Sequence, residues 1–110
     1  MVVAVGESGR SPHLEYSVDT AGTSQLMQPG RDHWPQAMSV LVSGGGMRTG
    51  QVIGATNSKG EYPTERPLTP NDLWATMYRH LGIDYTRAFP DLSGRPMPIL
   101  PFGEPISELI

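Results

Sequence analysis

Two short runs of apolar residues, VVAV at positions 2–5 and MSVLVS at 38–43, limit most what this chain can fold into. Neither alternates regularly between apolar and polar residues, as a strand with one wet face would. Near-continuous runs of this length suit strands of a parallel sheet that is covered on both faces. Each run ends at glycine, Gly6 in the first case and the triplet Gly44 to Gly46 in the second, so a turn should follow each strand. QVIGAT, 51–56, reads as a third and shorter strand, and NSKG, 57–60, as a polar turn.

One stretch carries the helical period. Thr69 is a good N-cap, Pro70 fits the first helical position, and Asp72 stands three residues after the cap. Leu73, Met77 and Leu81 recur at i, i+4 and i+8, with Trp74 and Tyr78 on the neighbouring stripe, and Gly82 is a stop. The pattern predicts a helix over 70–80. Two buried-type strands and one amphipathic helix predict the α/β class, with both strands in one sheet and the helix on its face. The rest should be loop-rich, because 13 Gly and 11 Pro among 110 residues are about twice the usual share. Residues 6–36 show no sustained period and read as one long loop, a length that is uncommon unless functional or disordered. After the helix, turn formers lead to an extended RPMPIL, and EPISELI suits one helical turn.

The length suits one small domain. Eight Lys and Arg in a chain of net charge -3 leave no electrostatic footprint for nucleic acid. Without cysteine there are no disulfides and no thiolate metal sites. No apolar run approaches a membrane span. The opening MVVAVGESGR lacks the basic and apolar regions of a signal peptide. A core-type strand at residue 2 leads to the expectation that Met1 is an internal methionine of a longer protein.

Candidate chemistry concentrates in two stretches. In GRDHWP, 30–35, Asp32 and His33 are of types that ligate zinc and similar divalent metals. Adjacent side chains diverge, so one can face a metal while the other serves a second metal or supports the first ligand. The alternative is that both cap a turn before Pro35. In GESGRSP, Glu7 and Arg10 directly follow the first strand, where open α/β sheets bind ligands. Carboxylate and guanidinium there suit a metal and an anion such as phosphate or sulfate, or else a surface salt bridge. The glycine triplet lacks the Lys-Ser/Thr and the helix of a phosphate loop, so a tight turn is the simpler reading. His80 suits the last helical turn electrostatically. His13 has only its proximity to Glu7 to commend it, and Trp34 either lines a pocket or anchors a loop.

Taken together and in order, VVAVGESGRSP, GRDHWPQAMSVLVSGGGMRTGQVIGAT, YPTERPLTPNDLWATMYRHLGID, DLSGRPMPIL and GEPISELI resemble the C-terminal part of the bacterial family called domain of unknown function 1501. That family looks like a branch of the alkaline phosphatase and sulfatase superfamily. The resemblance implies that residues 1–110 are the C-terminal fragment of one sulfatase-like α/β/α domain. It further implies that Glu7 and His33, with Asp32 beside it, are metal ligands and that Arg10 belongs to the same turn. The implied metal is a divalent ion, zinc or calcium, and the implied substrate a small sulfate or phosphate ester. The family also suggests an extracytoplasmic or periplasmic location. Two positions depart from the family pattern: Ser8 stands where Phe is usual and Ser11 where Thr is usual.

No stretch resembles the superfamily's nucleophile region, and Ser8, Ser11 and Ser43 lack its context. The expected partner is therefore the missing N-terminal part of the same protein. The leading expectation is a fragment of a metal-dependent hydrolase, inactive alone. The alternative is a non-catalytic binding or structural protein on the same fold, and a third reading is a mis-started gene product without a function of its own. His33, Asp32 and Glu7 are expected to converge at one end of the sheet, with Arg10 nearby.

Overall fold

The computed structural model describes residues 1–18 and 27–110. In chain order these form β1 (Val2–Val5), β2 (Glu15–Val18), β3 (Met27–Gly30), β4 (Val40–Ser43), β5 (Ala55–Thr56), β6 (Pro63–Glu65), α1 (Pro70–His80), β7 (Ala88–Pro90) and β8 (Pro96–Pro98). A short 3-10 turn follows at Ser107–Leu109. The architecture is mixed α/β, with one α-helix and four two-stranded sheets among the described residues: β1-β4, β2-β3, β5-β6 and β7-β8. The last three are antiparallel. No helix among the described residues is long and apolar enough to cross a membrane.

The first predicted strand is present over its full predicted range, and the second over the last four of its six residues, paired as expected. Their burial differs from the expectation. Val2 is 64% exposed, Val5 53% and Leu41 67%. Sequence pattern reports which side chains need cover, and this pair has no third strand beside it among the described residues.

Two further expectations are corrected. The single loop predicted over 6–36 contains β2 and β3, paired with Glu15 opposite Gly30 and Val18 opposite Met27. Pro29 hid β3, since proline demotes a strand pattern; in a two-stranded sheet each strand has a free edge where a missing N–H costs little. The strand predicted over 51–56 shrinks to Ala55–Thr56. Gly54 adopts a φ of 82°, outside the strand region, and the Gln51 amide donates to the carbonyls of Arg48 and Glu108.

The chain divides into two compact units. One comprises Met1–Val2, Val42–Ile53 and Pro67–Ile110. In it α1 has the predicted boundaries, because both ends are specified locally. The Asp72 N–H donates to the Thr69 hydroxyl at 3.3 Å, and the Thr69 N–H donates back to the Asp72 carboxylate at 2.7 Å, a complete capping box. At the other end Ile83 N–H reaches the Tyr78 carbonyl and Gly82 N–H that of Arg79, with Gly82 at a φ of 71°. This is a Schellman closure that only glycine enters without strain.

The buried core of this unit is small: Ala75 and Thr76 from the helix, with Ile106 and Leu109. Thr76 links its parts, donating its hydroxyl to the Asp72 carbonyl and accepting the Ile106 N–H at 2.9 Å. The predicted turn at Gly44 to Gly46 closes by a bond from Met47 N–H to the Gly44 carbonyl. The His80 ring lies directly against Gly45, a packing role.

The β7-β8 hairpin turns on Asp91. One carboxylate oxygen accepts from the Ser93 N–H, the Ser93 hydroxyl and the Arg95 N–H, at 2.7–2.9 Å. The Ser93 hydroxyl, followed by the Arg95 N–H, holds the Asp91 carboxyl down at about 2.

The other unit comprises Val3–Leu41 and Gly54–Arg66, and it contains both candidate stretches. Within it the predicted polar turn closes by a bond from Gly60 N–H to the Asn57 carbonyl.

Candidate functional site

The turn after β1 and the segment after β3 run antiparallel past each other, with Arg10 opposite His33. Trp34 N–H donates to the Gly9 carbonyl at 2.8 Å, and Ser11 N–H donates to the Asp32 carbonyl at 2.9 Å. The approach is close enough to require glycine. A Cβ on Gly9 would overlap the carbonyl oxygens of Trp34 and Ala37. Side chains reinforce the crossing: Arg31 donates to the Ser11 carbonyl at 2.6 Å, and Arg10 donates weakly to the Arg31 carbonyl at 3.4 Å.

This crossing brings together two of the three predicted metal ligands. His33 Nε2 lies 3.4 Å from Glu7 Oε1, with side-chain exposures of 58% and 80%. The pair is ionic when the imidazole is protonated. The Asp32 side chain is exposed and joins no hydrogen bond or ion pair among the described residues; its backbone is held by Ser11. No group of three or more His, Cys, Asp or Glu side chains placed to hold a metal occurs among the described residues.

The donor set can be tested against metal chemistry. Bonds of about 2.0–2.1 Å at tetrahedral angles separate neighbouring ligand atoms by about 3.3 Å. The observed 3.4 Å between one imidazole nitrogen and one carboxylate oxygen fits two corners of such a site. A nitrogen donor favours zinc over calcium, which takes oxygen ligands. A catalytic zinc usually has three protein ligands and a water, so the pair accounts for part of a set.

Beside the crossing lies a cleft of about 390 Å³. Ser8, Arg10, Met38, Ser39 and Thr56 are among its lining residues; Glu7 and His33 are not.

Two features escaped the sequence reading, and a third, the anchoring of Trp34, was one of its alternatives. His13 forms a second imidazole–carboxylate pair with Glu15, at 2.9 Å. The Trp34 indole N–H donates to the Glu61 carbonyl at 2.6 Å, which fits an anchoring role. Ser11 is buried at 3% exposure, its hydroxyl donating to the His13 carbonyl at 3.0 Å and accepting the Asp32 N–H at 3.1 Å. An i, i+2 His-Glu spacing was a usable signal for the first. The partners of Trp34 and one of the two partners of the Ser11 hydroxyl lie more than twenty residues away, where no local signal reaches.

No curated protein and no solved structure matches the chain. A family model described as "Protein of unknown function (DUF1501)" matches residues 1–110, and the chain belongs to that family.

Proposed function

We propose that this chain supplies part of the metal site of a sulfatase- or phosphatase-type ester hydrolase, as the C-terminal portion of an alkaline phosphatase-like α/β/α domain. The observation that carries the reading is the Glu7–His33 contact at 3.4 Å, a spacing suited to two ligands on one divalent ion. The exposed valines and leucine of the β1-β4 sheet support the larger domain, since apolar strands of this kind need layers on both faces. In the complete protein further ligands and the nucleophile come from polypeptide outside residues 1–110. A bound divalent ion would polarise the ester oxygen and activate the nucleophile. Glu7 and His33 hold that ion, and Arg10 receives sulfate or phosphate oxygens through its planar guanidinium.

Metal content and ester hydrolysis, measured on the complete protein, test the reading. His33→Ala should lower zinc content and any hydrolysis of nitrophenyl sulfate or phosphate together, whereas His80→Ala should change neither. Full zinc content in His33→Ala would overturn the metal site. Zinc binding without hydrolysis of either ester would favour the binding-protein alternative.

A further inference from the structure

We infer that Ser11 is the residue that positions Glu7 and His33 beside each other. The inference rests on the metal-site reading for its function but on separate observations for its geometry. Ser11 and Thr76 are the buried polar residues among those described. Ser11 makes four polar contacts, three of them across the crossing. Its N–H donates to the Asp32 carbonyl at 2.9 Å, and its carbonyl accepts from Arg31 at 2.6 Å. Its hydroxyl accepts the Asp32 N–H at 3.1 Å and donates to the His13 carbonyl at 3.0 Å.

These contacts matter because side chains in extended segments alternate in direction. With Ser11 tied to Asp32, Arg10 stands opposite His33 and Gly9 receives the Trp34 N–H. In that register the His33 ring meets Glu7. A slip of one residue would turn His33 to the other side and present Asp32 in its place. Backbone hydrogen bonds alone can be remade in a slipped register. The buried hydroxyl adds a bond that depends on register: its acceptor, the His13 carbonyl, lies on its own segment, while its donor, the Asp32 N–H, moves away in a slip. Ser11 therefore keeps His33, and not Asp32, on the side of Glu7 without touching either side chain.

The discriminating variants are Ser11→Thr, which keeps a hydroxyl, and Ser11→Val, which has the shape of threonine without one. Zn2+ titration of the complete protein should find Ser11→Thr within about twofold of wild type and Ser11→Val weaker by about tenfold or more, the usual range for residues that orient ligands. Metal-free protein supplies an independent readout, the ring resonances of His33 at fixed pH. Ser11→Val should move them toward their positions in Glu7→Gln, and Ser11→Thr should leave them in place. Ser11→Ala substitutes for Ser11→Val if the latter does not fold. A wild-type protein that takes up no Zn2+ would defeat the metal reading, leaving Ser11 to be judged by the resonances. Matching His33 resonances in the valine and threonine variants would overturn the role of Ser11 whatever the metal result.

Discussion

Replacing Gly9 with alanine should unseat the crossing on which the candidate site depends. The added Cβ would overlap the carbonyl oxygens of Trp34 and Ala37 and would lie 2.9 Å from the Ala37 carbonyl carbon. Non-bonded carbons rest at about 3.5–4.0 Å. The two segments must therefore part by at least about 0.6 Å to clear that carbon, and further to clear the oxygens. Every obstacle is backbone, so no change of rotamer relieves it. The displacement also strains the 2.8 Å bond from Trp34 N–H to the Gly9 carbonyl. Overpacking of this kind costs about 1–3 kcal/mol, and a lost hydrogen bond adds about 1 kcal/mol. A total of about 2–4 kcal/mol corresponds to a melting temperature lower by about 10–25 °C in a domain of this size. Gly6→Ala in the same turn is the control, since its nearest obstacle, the Ser8 carbonyl oxygen, lies at 3.5 Å, an ordinary contact. Thermal melts followed by circular dichroism should separate the two variants widely. Equal melting temperatures for Gly9→Ala and Gly6→Ala would refute the close approach.

Thr76→Val should destabilise by about 1–3 kcal/mol in a denaturant titration, because it leaves the buried Ile106 N–H without its acceptor; an unchanged midpoint would show that this N–H finds another partner. The Asp91 carboxyl is depressed from 3.8 to about 2, so its contribution to the β7-β8 hairpin is fully present above pH 3.8 and is lost as the pH falls through about 2. The Ser93 and Arg95 amide resonances should titrate through that window and stay flat in Asp91→Asn; titration centred at 3.8 would contradict the depressed value.

The helix was legible to the residue because its signals are local. Thr69, Asp72 and Gly82 act within three or four positions of themselves, and the same bonds form in the structure. The β1-β4 pair was legible as strands from composition alone. The β2-β3 hairpin was not, since pairing joins residues distant in sequence and Pro29 argues locally against it. Q51–V52–I53 failed in the opposite sense: apolar content suggested a strand, but the Gln51 side chain binds the Arg48 and Glu108 carbonyls and Gly54 turns the chain away. Composition reports what a segment could tolerate, while hydrogen-bond partners decide what it becomes.

The same division runs through the candidate site. Residue type alone makes Glu7, Asp32 and His33 equally plausible ligands, and adjacency cannot choose between Asp32 and His33. Register decides which of the two lies beside Glu7. Ser11 engages both the N–H and the carbonyl of Asp32, which fixes that residue through its backbone and leaves His33 Nε2 at 3.4 Å from Glu7. A serine was passed over in the sequence because it lacked a nucleophile's surroundings, yet its hydroxyl bonds to partners 2 and 21 residues away. Such a residue has no motif of its own, since its effect exists only once the two segments have met. Removing the hydroxyl should therefore release His33 from its place beside Glu7. Ser11→Val should loosen the register and move the His33 ring resonances toward their positions in Glu7→Gln. Glu7→Gln should then shift those resonances less in a chain that carries Ser11→Val than in one that keeps Ser11.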